Sequence, residues 1–112
     1  MQVMMFGAID VGSFDLELTI YEISQKNGIR PVDHLRHPVA VGKDTYTGGI
    51  ISYALIDEIC EVLSDFKRVM DGYQVDSCQA YATSALREAR NNRIVLDQIQ
   101  VRTCLLYTSR CV

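Results

Sequence analysis

Ala8-Ile9-Asp10-Val11-Gly12-Ser13 lies near the start of a 112-residue chain and reads as an apolar strand running out into a carboxylate, a glycine and a hydroxyl. Ala80-Tyr81-Ala82-Thr83-Ser84-Ala85-Leu86-Arg87-Glu88-Ala89 does something similar downstream: a short apolar strand, two hydroxyls, then an arginine three residues after Ser84. Glycine and hydroxyls at a strand end let backbone N–H groups approach an anion closely. A helix start adds unpaired N–H groups and the positive end of a dipole. Together the two stretches predict half of a phosphate-handling cleft.

The flanking sequence predicts how they meet. Residues 4–11 are almost continuously apolar, as in a strand buried on both faces. Leu16, Leu18 and Ile20 alternate with Glu17 and Thr19, a strand with one polar face. Lys26-Asn27-Gly28 is a hairpin turn signal. A third strand follows over 29–41, and Pro31 and Pro38 within it favour an edge or broken strand. Residues 42–49 read as a polar loop, with Lys43 and Asp44 at the surface or on the rim of the cleft.

Ser52 can cap a helix whose Ile56, Ile59, Cys60, Leu63, Phe66 and Met70 form one apolar face, with Asp71-Gly72 as its stop. Residues 73–82 predict a fourth strand, Ser84 begins a short helical turn, and 93–101 form a helix presenting Ile94, Val95, Leu96 and Ile99. The order β-β-β-α-β-α predicts an α/β fold, a mixed sheet with helices on its faces.

Composition narrows the function classes. Hydrophobic residues make up 48% and charged residues 22%, which fits a packed domain and not a disordered one. A net charge of -3 lacks the clustered Lys and Arg that DNA or RNA binding requires, but a small phosphorylated ligand needs only a few donors. No apolar run reaches membrane-spanning length. Residues 1–6 lack a basic segment and lead straight into a strand pattern, so they do not read as a signal peptide. Cys60, Cys78, Cys104 and Cys111 form no C-x-x-C pair. Cys60 and Cys78 fall on apolar faces, which predicts buried thiols in a reducing cytoplasm.

Each candidate residue has two readings. Asp10 before a glycine can be a turn former, or a carboxylate orienting a metal-bound or attacking water beside a phosphate. The second motif favours the latter, because both would sit at carboxyl ends of strands in one sheet. Arg87 lies within a turn of the helix start, where a guanidinium can clamp phosphate oxygens in bidentate fashion. Thr83 and Ser84 can be helix caps or phosphate contacts, which use the same geometry. Glu88 and Arg90 read as surface residues. His34 and His37, three apart in a strand, point to opposite faces and share no metal.

These residues resemble the exopolyphosphatase/guanosine pentaphosphate phosphohydrolase (Ppx/GppA) family. The likeness runs through residues 8–13, Gly42, Gly49-Ile50-Ile51-Ser52, residues 82–89 and Asn91 or Asn92, to 100–103. It implies a ribonuclease H-like α/β domain of the sugar kinase, heat-shock and actin superfamily. It also implies release of terminal phosphate from polyphosphate or guanosine pentaphosphate, a divalent metal, usually magnesium, at Asp10, and room for a homodimeric parent. Asp10 would be catalytic, with Gly12, Ser13, Thr83, Ser84 and Arg87 binding phosphate.

Two features depart from the family. Phe14-Asp15 stand where it usually has Asn-Ser, which favours an alternative: a non-catalytic polyphosphate or nucleotide sensor. The family's catalytic glutamate and second phosphate loop lie beyond Thr103. Residues 104–109 and 110–112 can be back-translated into inverted copies of one another that resemble a transposon end used in sequencing libraries. Residues 1–103 are therefore read as the N-terminal part of a phosphatase domain and 104–112 as an adaptor scar, and the chain alone is expected to be inactive.

Overall fold

A computed structural model describes residues 3–103 and 107–108. Its elements are β1 (Val3–Val11), β2 (Asp15–Ser24), β3 (Gly28–Pro38), α1 (Val41–Gly48), α2 (Tyr53–Gly72), β4 (Ser77–Ala82), α3 (Ser84–Glu88), α4 (Asn92–Thr103) and β5 (Tyr107–Thr108). They form one mixed sheet in the order β3-β2-β1-β4-β5. β1 pairs antiparallel with β2 and parallel with β4, Val11 lying opposite Ala82. The two sequence stretches therefore end side by side at one edge of the sheet.

One face of the sheet makes the core. Gly7, Ile9 and Val11 of β1 stand in register with Ile20, Leu18 and Leu16 of β2, and all are buried. Ala80 and Ala82 continue this face, and Ile56, Ile59, Cys60, Leu63, Phe66 and Met70 of α2 are all buried in the same cluster. Ser52 caps α2, its Oγ accepting from Leu55 N–H at 3.2 Å. A Cβ on Gly7 would stand 2.6 Å from Met70 Sδ, so this glycine permits the close approach of α2.

The opposite face of β1 is open: Asp10 is exposed, and Ala8 only partly covered. The expectation of a strand buried on both faces is thus corrected, because α2 and α4 lie over one face alone among the described residues. Ile94 is likewise exposed, while Val95 and Ile99 carry the buried side of α4.

The edge position of β3 agrees with its prolines. Its register with β2 shifts between Ile20, opposite Asp33, and Tyr21, opposite Pro31. β3 stops at Pro38, short of the predicted 41. The predicted polar loop over 42–49 is instead helix α1. Only Val41, Gly42 and Thr45 of it are buried, too few to print an apolar stripe. Its hold comes from polar contacts: Thr45 Oγ1 donates to Ala85 O at 2.7 Å, and Gly49, at φ 76°, closes the helix through bonds to Asp44 O and Thr45 O.

Three further boundaries differ. α2 is closed by Gln74 in the left-handed conformation (φ 55°), with Val75 N–H donating to Met70 O. β4 accordingly begins at Ser77 instead of 73. Cys78 is exposed, contrary to expectation, because it stands at the start of β4 outside the stretch that β5 covers; Cys60 is buried as predicted. Tyr107–Thr108, within the stretch set apart as a scar, pair parallel with Ala80 and Tyr81 as a two-residue fifth strand. Cys104 and Cys111 lie outside the described residues.

A side-chain clamp ties the α1–α2 junction to the α3–α4 junction. Asn91 Oδ1 accepts from Ile51 N–H at 3.0 Å while its Nδ2 donates to Ile51 O at 2.9 Å. Arg90, read as a surface residue, is exposed but donates to Gly48 O at 3.1 Å. Asn91→Ala leaves two partly buried backbone groups unpaired and should cost about 1–3 kcal/mol. Chemical denaturation of the full-length protein checks this; an unchanged midpoint would show that the clamp holds nothing.

Candidate functional site

The site begins with the loop between β1 and β2. Gly12 N–H donates to Asp15 O at 2.9 Å and closes the turn. Val39 N–H donates to Phe14 O at 3.1 Å, and Gly42 N–H to Ser13 O at 2.7 Å. Three carbonyls of the loop are thus turned inward onto the protein. The N–H groups of Ser13 and Phe14 have no partner among the described residues.

The second loop is fastened to the first. Thr83 N–H donates to Val11 O at 3.1 Å, and Thr83 Oγ1 donates to the same oxygen at 3.0 Å. Its hydroxyl thus donates to β1 and does not cap α3, a third use beside the two that the sequence left open. Ser84 Oγ lies 3.0 Å from Tyr46 Oη, and the same Tyr46 hydroxyl is 3.5 Å from Ser13 Oγ. Tyr46 therefore bridges the hydroxyls of the two motifs. A Cβ on Gly42 would stand 3.0 Å from the Tyr46 ring and 3.2 Å from Ser13 Cβ, which shows how tightly α1 is seated on the loop. Tyr46 escaped the sequence argument because a lone aromatic in a polar stretch carries no periodic signal.

Arg87 is exposed, and among the described residues its guanidinium has no hydrogen bond or salt bridge. The structure places it one turn along α3 from Thr83, whose carbonyl accepts Arg87 N–H at 3.1 Å. Lys43 is exposed, while Asp44 accepts from Ser52 N–H at 2.9 Å; that hydrogen bond is the main reason its carboxyl sits below the ordinary range.

The electrostatics centre on the open face. Asp10 lies between Tyr81 on β4 and Glu17 on β2, with Arg36 of β3 next in the row. β3 answers the carboxylates of β2: His34 Nε2 is 3.1 Å from Glu17 Oε1, and Arg36 Nε is 2.5 Å from Asp15 Oδ2. Among the described residues no cation pairs with Asp10. Partial desolvation first, then the charges of Glu17 and Asp15, push its carboxyl above the ordinary value. No three His, Cys, Asp or Glu groups among the described residues, Asp10, Glu17 and Asp15 included, converge on one point as a metal site would. A groove of about 370 Å³ between α2 and α4, lined by Cys60, Glu61, Ser64, Asp65, Arg68 and Arg102, contains none of the predicted site residues.

Residues 19–106 match the Ppx/GppA phosphatase family. The chain belongs to that family. The matched span takes in the second motif and begins just after the first. Exopolyphosphatase 1 of Mycobacterium tuberculosis is 24% identical over 100 residues, covering 89% of this chain and 29% of that protein. The Mycobacterium leprae protein of the same name is 25% identical over 100 residues, covering 89% and 30%. A solved Ppx/GppA family member from Aquifex aeolicus superposes with a TM-score of 0.89 at 25% identity, over 95% of this chain and 34% of that one. An exopolyphosphatase structure from Cytophaga hutchinsonii gives 0.85 at 25% identity, over 92% and 33%. The chain thus spans about a third of the length of its solved relatives and slightly less of the curated ones. Its mixed sheet with helices is that of the Ppx/GppA proteins, the ribonuclease H-like fold that the resemblance implied.

Asp10 should destabilise the fold at neutral pH. A carboxyl whose folded pKa is raised binds its proton more tightly when folded, so stability falls as pH rises from the ordinary carboxyl value through the raised one. Asp10→Asn removes that penalty. The variant should melt higher than the wild type at pH 7, and the difference should vanish in acid below the ordinary carboxyl pKa. Thermal melts across this range check it; an Asn variant less stable at neutral pH would show that the charge is compensated.

Proposed function

We propose that the protein carrying this chain is a phosphoanhydride hydrolase that releases terminal phosphate from polyphosphate or guanosine pentaphosphate. The observation that carries this is the loop over 12–15: its carbonyls are engaged inward and the amides of Ser13 and Phe14 have no partner among the described residues, beside a second loop fastened to it through Val11. Such amides suit an anion. Ser13 and Ser84 add hydroxyl donors. Arg87, unpaired among the described residues, supplies the positive charge that would orient a phosphate by its oxygens.

Asp10 then faces the bound phosphate as the group that orients the attacking water. Its donor set suits magnesium, a hard cation that takes one or two carboxylates and fills its remaining positions with water and substrate phosphates. Asp10, in the field of Glu17 and Asp15, would hold it, with Ser13 the nearest hydroxyl in sequence. Bound there, the ion would neutralise charge building up on the phosphoryl oxygens. The absence of a membrane-length apolar helix among the described residues, and the free thiols of Cys60 and Cys78, suit a cytoplasmic setting.

One observation favours a sensor instead. Phe14 is 72% exposed at the mouth of the loop, where a ring can stack on a nucleobase but adds nothing to hydrolysis.

Phosphate release from polyphosphate by the full-length protein with magnesium decides between them. Asp10→Asn should lower turnover by orders of magnitude with binding retained. Arg87→Ala should weaken tripolyphosphate binding by about 1.5–3 kcal/mol, with Arg87→Lys recovering part, since a point charge cannot form the bidentate fork. Binding without turnover in the wild type would establish the sensor. Unchanged turnover in the Asn variant would remove Asp10 from the chemistry.

A further inference from the structure

The loop that offers its amides to a phosphate also carries a carboxylate. Asp15 Oδ1 lies 3.4 Å from where a Cβ would stand on Gly12, so the charge folds back over the loop instead of away from it. A negative charge so placed opposes an arriving polyanion. Arg36 answers it. In the ladder Arg36 stands opposite Glu17, yet Glu17 is taken by His34 and the guanidinium reaches diagonally to Asp15 Oδ2 at 2.5 Å. Both side chains remain open enough to water, 54% for Arg36 and 24% for Asp15, that the pair is not a core feature. Its place beside the loop is what distinguishes it from an ordinary surface ion pair.

We propose that Arg36 is a positioning residue of the phosphate loop. It cancels the charge of Asp15 and draws that carboxylate toward β3, so that the amides of Ser13 and Phe14 can receive a phosphate oxygen. Arg36 does not itself touch the ligand. The proposal rests on the phosphate-binding function above and adds a residue from the far edge of the sheet to it.

A charge cycle on the full-length protein tests it, with tripolyphosphate as the titrant and thermal melts confirming that each variant folds. Arg36→Ala should weaken binding ~10-fold, the size expected when one unit charge near a polyanion is unmasked. Asp15→Asn should bind at least as well as the wild type. Asp15→Asn combined with Arg36→Ala should return affinity to within ~2-fold of Asp15→Asn alone, because the charge that Arg36 masks is gone. Arg36→Gln, which keeps more of the side-chain stem, should repeat the Arg36→Ala result if that variant folds poorly. Unchanged affinity in Arg36→Ala overturns the proposal. A double variant as weak as Arg36→Ala overturns it too, by showing that Arg36 contacts the ligand. A wild type that does not bind tripolyphosphate removes the phosphate-binding function and the proposal together, whereas a flat cycle on a wild type that binds removes the proposal alone.

Discussion

The carbonyl of Val11 accepts two hydrogen bonds from one residue, Thr83, through its amide and its hydroxyl. The architecture of the site depends on that junction. It is the last rung of the parallel β1–β4 pairing, and it fixes where both strand-end loops start. α1 then locks the pair from above. Gly42 bonds to Ser13, Thr45 bonds to Ala85 beyond the second loop, and Tyr46 reaches the hydroxyls of both motifs. Two loops whose junction residues, Val11 and Thr83, are 72 positions apart in sequence are thereby held as one surface, without the cost of ordering them when a ligand arrives.

The sheet divides its labour between its faces. One face is apolar and packs on α2, which supplies the stability. The other carries Asp10, Asp15 and Glu17 toward the carboxyl edge, where like charges accumulate at a cost. On β3, Arg36 answers Asp15 with a charge, and His34 lies within hydrogen-bond distance of Glu17. Asp10 is left unrelieved among the described residues, and its raised pKa records the strain. A fold selected for stability alone would have placed an apolar or amide side chain there. The charge is kept despite that cost, as the proposed role of Asp10 would require.

Much of this was legible in the sequence, and the parts that were not share a physical cause. α2 could be read from its stripe of Ile56, Ile59, Leu63, Phe66 and Met70, because burial on one face imposes the helical period. That both motifs end strands of one sheet followed from the apolar runs before them, while the pairing of those strands comes from the sheet order. α1 could not be read, since Val41 and Thr45 give it too little buried surface and its stability lies in bonds to distant backbone. Tyr46 was hidden with it. The Asp15–Arg36 pair is diagonal across a ladder, and its partners follow only from a register that the shift at Ile20 and Tyr21 displaces. Asp10 was supposed to end a strand buried on both faces, but one face of β1 is open, which an apolar run does not reveal.

The most direct test of the account is to follow the backbone amides of the full-length protein by NMR while tripolyphosphate is added. If the Val11–Thr83 junction makes one anion site of two loops, the amides of Gly12, Ser13, Phe14, Thr83 and Ser84 will shift together along one saturation curve. Shifts confined to one loop, two curves with different midpoints, or a response centred on Arg68 and Arg102 in the groove between α2 and α4 would contradict it.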